Sequence, residues 1–192
     1  MFRFLKKVLK RAGVLEPKIN SFETSLVYWI DQTMRGDPEE GEEAFKELLE
    51  SGVNPTDLNR ELVIAYMYLL TRLSQKHYSN TSTYEKGMDE FHVQAYQWLL
   101  TDADINLESA GPFEELLRIR YADYDIAFSQ KDNMSMHYFA KTFITVLNGS
   151  LRDEAMPLFK CATRFGSFME SSDESLGKMR QIYQEQRRSR RR

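Results

Sequence analysis

Apolar residues recur every three to four positions along most of this 192-residue chain, which is the spacing of one face of an α-helix. No long window alternates apolar and polar residues with the period of two that a half-buried strand shows. The pattern predicts an all-α fold, a single-domain bundle of about eight helices, with irregularly stacked helical hairpins as a variant. The predicted helical segments are residues 2–12, 21–34, 38–51, 55–75, 84–100, 112–128, 134–147, 151–164 and 176–186.

The segment predicted for residues 55–75 contains the longest apolar run, LVIAYMYLL at 62–70. Nine residues are far fewer than the roughly 20 that span a bilayer, so the run predicts a central core helix. Its start is marked by Asn54 as the N-cap and Pro55 at the first helical position. Gly52 stands where the preceding helix should end, because glycine enters the left-handed conformation at little cost.

The stretch FKELLESGVNPTDLNREL, residues 45–62, resembles one junction of the pentatricopeptide RNA-binding repeats in its order of aromatic, apolar, Gly and Pro residues. Such arrays repeat about every 35 residues and need at least three units. One period after Gly52 and Pro55 stand Gly87 and Glu90, and the remaining pattern does not recur. We therefore interpret the stretch as the end of one ordinary helix and the start of the next. The alternative is a stack of helical hairpins without a strict sequence repeat.

Charge is distributed unevenly along the chain. Ten of the 26 basic residues lie in residues 1–11 and 187–192, which contain no acid, and the 29 acidic residues leave residues 12–186 with a net charge of −13. This asymmetry predicts that the two ends make the charged contacts. The predicted partner- or phosphate-binding residues are Lys6, Lys7, Lys10, Arg11, Arg187, Arg188, Arg190, Arg191 and Arg192.

These patterns divide the chain into four parts. Residues 1–12 are predicted to form a basic amphipathic helix, and residues 20–165 a helical core domain. Residues 166–186 are predicted to be an acidic linker, GSFMESSDES, followed by a last helix, and residues 187–192 a disordered arginine-rich tail. The single cysteine, Cys161, excludes an intramolecular disulfide and favours a reducing compartment. Because the start of the chain lacks a signal peptide's apolar region, we expect a cytoplasmic protein.

Residues with catalytic or metal-binding chemistry are few. His92 follows Asp89 and Glu90, but a helical di-metal site needs further carboxylates and a second histidine motif, which the sequence lacks. Cys161 lies near Lys160 on an apolar stripe, where a small buried residue is more common than a nucleophile. No glycine-rich phosphate loop or nucleophile elbow is present. The sequence therefore predicts a non-enzyme without cofactor or metal.

One short segment, RIRYADYDIAF, combines charged and aromatic residues on a predicted helix. Arg118, Tyr121, Tyr124 and Asp125 fall within about two helical turns. They could line a groove for a ligand, or they could form a tyrosine-rich packing face with an exposed salt link.

Three functions remain open from the sequence. The leading hypothesis is a non-enzymatic protein–protein interaction or adaptor protein, whose acidic body suits a basic partner. The first alternative is a nucleic-acid-associated assembly subunit that uses the arginine tail. The second is a peripheral membrane protein held on an anionic surface by residues 1–12.

Overall fold

The computed structural model of this chain describes residues 26, 30, 45–79, 84–102, 110–130, 134–148 and 155–189. Within these ranges the protein is all-α, as predicted, and contains no strand. Its six helices form a bundle. They are α1 (residues 45–50), α2 (Pro55–Tyr78), α3 (Tyr84–Asp102), α4 (Ala110–Phe128), α5 (Ser135–Asn148) and α6 (Ala155–Ser189).

The predicted number of about eight helices is wrong for the part of the chain that the structure describes. The predicted segment 2–12 lies outside the described residues, and of the segment 21–34 only Leu26 and Ile30 are described. Both are helical and buried in the core. The two segments predicted at 151–164 and 176–186 are joined, because α6 is one helix of 35 residues.

The predicted acidic linker over residues 166–175 is therefore wrong, and so is the predicted disorder of 187–189. Phe165, Phe168 and Leu176 are buried at helical spacing, and Ser172 completes the same stripe. Burial of this stripe against the bundle outweighs the weak helix propensity of the glycine and serine residues. Pro157 lies in the first turn of α6, where its missing N–H leaves no helical bond unmade.

Helix α2 is the centre of the bundle, as its apolar run predicts. All residues from 61 to 70 are buried, and α2 packs against α3, α4, α5 and α6. The Asn54 side chain caps α2 by accepting a hydrogen bond from the Thr56 amide at 2.8 Å. Gly52, with φ 94°, ends the preceding helix as predicted. No described helix combines the length and the apolar content that crossing a bilayer requires.

Aromatic rings from four helices fill the core. Phe165 on α6 makes edge contacts with Tyr66 on α2 and with Phe139 and Phe143 on α5, at centroid distances of 5.7, 5.0 and 5.1 Å. Phe45 on α1 lies 6.3 Å from the same ring. These offset and edge-on arrangements are those that aromatic side chains prefer, and they fix α6 against the other helices.

Candidate functional site

The four residues predicted to line a groove lie on α4 but differ widely in exposure. Tyr124 is completely buried, Tyr121 is partly buried, and Arg118 and Asp125 are exposed. Arg118 Nε donates a hydrogen bond to Glu115 Oε2 one turn earlier, at 2.8 Å. The structure thus divides the four between the core and the solvent-facing side of α4, and the three residues other than Arg118 contact α2 or α3.

Tyr124 belongs to a buried polar cluster that the sequence does not reveal. Its hydroxyl donates a hydrogen bond to Glu61 Oε1 at 2.8 Å, and Arg120 Nε donates to Glu61 Oε2 at 3.1 Å. Burial, together with the Glu61 carboxylate, raises the pKa of Tyr124 well above its usual value. Both carboxylate oxygens are satisfied and Glu61 is 1% exposed, so the cluster holds α2 to α4 and offers no access to a substrate.

Asp125 and Tyr121 also connect α4 to its neighbours. Asp125 accepts a hydrogen bond from the Tyr68 hydroxyl at 2.7 Å on α2. The Tyr121 hydroxyl lies 2.9 Å from His92 Nε2, and His92 Nδ1 lies 2.7 Å from the Met88 carbonyl oxygen. A carbonyl only accepts, so Nδ1 carries the proton and Nε2 accepts from Tyr121. Burial lowers the pKa of His92, which keeps the ring neutral.

Two residues considered for metal or thiol chemistry, His92 and Cys161, lie in the described ranges. No group of three His, Cys, Asp or Glu side chains there is placed to hold a metal ion. Cys161 is 0% exposed, and burial raises the pKa of its thiol to about 12, with a smaller contribution from Glu47. A buried thiol that stays protonated is a poor nucleophile.

Two isoleucines on the outer face of α4 are exposed, and the second of them along the chain borders α5. Ile126 is 64% exposed and Ile119 is 42% exposed on α4. Beside Ile126, a depression of about 460 Å³ lies between the two helices. It is lined by Asp123, Ile126, Ala127, Gln130, Tyr138, Lys141, Thr142, Thr145 and Val146. The lining combines three aliphatic side chains with six that carry polar groups, a mixture also found where proteins contact one another.

A second surface is formed where α6 leaves the bundle. Among the described side chains of α6, the last buried one is Leu176, which is completely buried, and Asp173, about one turn earlier, forms the last ion pair with α2. The Asp173 carboxylate accepts from Lys76 Nζ at 2.7 Å and lies 2.6 Å from His77 Nε2, both on α2. The hydrogen bond from Lys76, followed by that from His77, lowers the pKa of Asp173.

Residues 180–189 of α6 form a projecting helical segment that we call the arm. Every described side chain in it is exposed. At 1.5 Å per residue, its ten residues span about 15 Å along the helix axis. Arg180 and Arg188 make no ion pair with any residue that the structure describes. The arm therefore presents two exposed guanidinium groups, and the charge of Arg180 also acts on the Tyr78 hydroxyl at the end of α2.

The predicted basic residues are only partly described. Arg187 and Arg188 belong to α6, and Arg188 is exposed. Lys6, Lys7, Lys10 and Arg11, together with Arg190, Arg191 and Arg192, lie outside the described residues. The predicted last helix, 176–186, covers most of the arm, but sequence reasoning missed its continuity with the preceding helix, because the signal for that is the buried stripe before residue 177.

No protein-family model, curated protein sequence or solved structure shows a significant match to this chain.

Proposed function

We propose that this chain is a non-enzymatic interaction or adaptor protein whose helical body binds a protein partner on the outer face of α4 and α5. The observation that carries the proposal is the exposure of Ile126 at the edge of the 460 Å³ depression. Exposed apolar residues that border a concave surface are typical of protein-binding sites. The net charge of −13 over residues 12–186 favours a basic partner, which would be attracted over long range.

The polar groups of the depression fit this role. Asp123 and Lys141 stand on opposite walls, on α4 and α5, with the Tyr138 ring and Val146 in the same lining. An apolar side chain of the partner would occupy the depression while charged groups fix its orientation, which is how small polar sets confer specificity. This surface does not involve the arm, so the two can be tested separately.

The proposal is tested by comparing captures with matched variants. Ile126→Glu should abolish the retention of particular basic proteins from an extract of the source cells, because a charge would enter the apolar contact. Val93→Glu is the matched control, since Val93 is 50% exposed on α3 and lies outside the depression. Proteins lost with Ile126→Glu and kept with Val93→Glu support the proposal. Identical captures from both variants would refute it.

A further inference from the structure

The arm lies in a basic part of the chain, residues 178–192, whereas residues 12–186 as a whole carry a net charge of −13. Residues 178–192 contain seven basic residues and one acidic residue. Six of the seven basic residues are arginines, whose planar guanidinium groups form paired hydrogen bonds with phosphate oxygens. Among the arm residues that the structure describes, Arg180 and Arg188 are exposed and free of ion pairs. Such groups are suited to a polyanion.

We propose that the arm binds duplex DNA, with its arginines on the phosphate backbone and its helix in the major groove. An α-helix with its side chains is about 10–12 Å wide, and the major groove of B-form DNA is about 12 Å wide. The major groove of A-form RNA is deep and narrow and does not admit a helix. The geometry of a free-standing helix therefore selects DNA over double-stranded RNA.

The acidic body does not prevent this contact at the end of the arm, because the helical rise places Arg188 about 18 Å beyond Leu176, the last buried side chain described in α6. The Debye length is about 8 Å at physiological salt, which is shorter than this distance. At its tip the negative charge of the body is largely screened. Gln181 and Gln184 are exposed on the arm, and glutamine amides can pair with the major-groove edge of adenine.

A membrane surface fits the arm less well. Interfacial helices bury a broad apolar face, whereas the twelve residues 178–189 contain only three apolar ones, Met179, Ile182 and Tyr183. An acidic protein surface would attract the same arginines, but it does not require a helix of groove width. Duplex DNA accounts for the charge and the shape of the arm together.

The first test measures binding of the full chain to a short labelled DNA duplex by fluorescence anisotropy between about 50 and 200 mM salt. The double variant Arg180→Gln/Arg188→Gln should bind about tenfold more weakly, and its plot of log affinity against log salt should be shallower by about two. The control Lys46→Gln/Arg118→Gln removes the same charge from exposed sites on α1 and α4. It should stay within about twofold of the wild-type affinity at fixed salt.

The second test asks whether binding depends on the helical conformation of the arm and not only on its charge. Ile182 is 55% exposed on the arm, so Ile182→Pro should bend the arm without disturbing the core. Binding should fall several-fold relative to Ile182→Ala, while the thermal midpoints of the two variants stay equal. If Ile182→Pro binds the duplex as tightly as Ile182→Ala, the helix does not enter the groove and the proposal is refuted.

Competing ligands decide among the polyanions. Single-stranded RNA, poly-glutamate and vesicles with anionic lipid are offered to the full chain at the same salt as the DNA duplex. Tighter binding of any of them than of the duplex would refute the assignment to DNA, as would a full chain that binds no duplex at low salt. The proposal is independent of the α4–α5 surface, so the arm variants should leave captures that depend on Ile126 unchanged.

Discussion

The hydroxyl of Tyr124 donates a hydrogen bond of 2.8 Å to the carboxylate of Glu61, a residue with 1% of its surface exposed in the centre of the bundle. Arg120 supplies the countercharge at 3.1 Å. A buried carboxylate is tolerated only when its charge is compensated and its oxygens are bonded. The integrity of the α2–α4 contact therefore depends on all three residues together.

Removing either partner of Glu61 should destabilise the protein. Tyr124→Phe deletes a hydrogen bond to a charged group and should lower the free energy of unfolding by about 2 kcal/mol. Arg120→Met leaves the carboxylate without its countercharge and should cost about 3 kcal/mol or more. Urea denaturation measures both. The control Arg118→Met removes an exposed arginine of the same helix and should leave the midpoint unchanged. Equal midpoints for Arg120→Met and Arg118→Met would contradict this account.

Two glycines should respond to alanine in opposite directions. Gly52 has φ 94°, so Gly52→Ala forces a strained backbone and should cost about 1 kcal/mol. Gly166 lies inside α6, where an added Cβ would meet Met136 Cγ at 3.8 Å, an ordinary contact. Gly166→Ala should therefore stabilise the chain by about 0.5–1 kcal/mol through helix propensity. Thermal melts of the two variants and the wild type show whether each substitution raises or lowers the melting temperature. Destabilisation by Gly166→Ala would show that α6 is not continuous there.

His92 should make stability depend on pH near neutrality. Burial lowers its pKa in the folded state, so the unfolded chain binds a proton more readily. Its contribution is therefore complete above the unfolded pKa of about 6.5 and is lost as the pH falls below that value. Urea midpoints between about pH 7.5 and 5.5 should fall for the wild type and fall less for His92→Gln. His137→Gln serves as the control and should keep the wild-type slope. Equal slopes for all three chains would exclude a role for His92.

The thiol of Cys161 should react only after unfolding. It is 0% exposed and its pKa is raised to about 12, chiefly by burial, so at pH 8 the folded chain holds an inaccessible protonated thiol. A chromogenic disulfide reagent should label it at the rate of global unfolding, and at once in denaturing urea. Because the chain has one cysteine, Cys161→Ala provides a blank. Rapid labelling of the native protein would place this residue at the surface.

The sequence predicts helices α2 to α5 well because their signals are local. Asn54 and Pro55 mark the start of α2, and uninterrupted stripes define α4 and α5. The end of α2 at Tyr78, three residues later than predicted, lies where Lys76 and His77 contact Asp173 of α6. That extension depends on a partner 96 residues away, which no local pattern contains.

The candidate sites are harder to predict because they depend on which residues meet across the bundle. Glu61 stands at the edge of an apolar run and no local pattern marks it, because its partners are 59 and 63 positions distant. The serine-rich segment in α6 reads as a linker, yet Ser172 fills a buried position of the stripe that holds the helix to the bundle. Tertiary burial overrides local propensity in both places.

Helix α6, which is 35 residues and about 52 Å long, packs against the bundle over its first part and forms the exposed arm over its last ten residues. Ligand binding to the arm and the folding stability of the bundle are therefore thermodynamically linked. A ligand that requires the helical arm would raise the melting temperature, and the rise would grow with the logarithm of the ligand concentration once this exceeds the Kd. Conversely, a substitution that weakens the packing of Phe165 would lower the affinity for that ligand without removing any contact to the ligand.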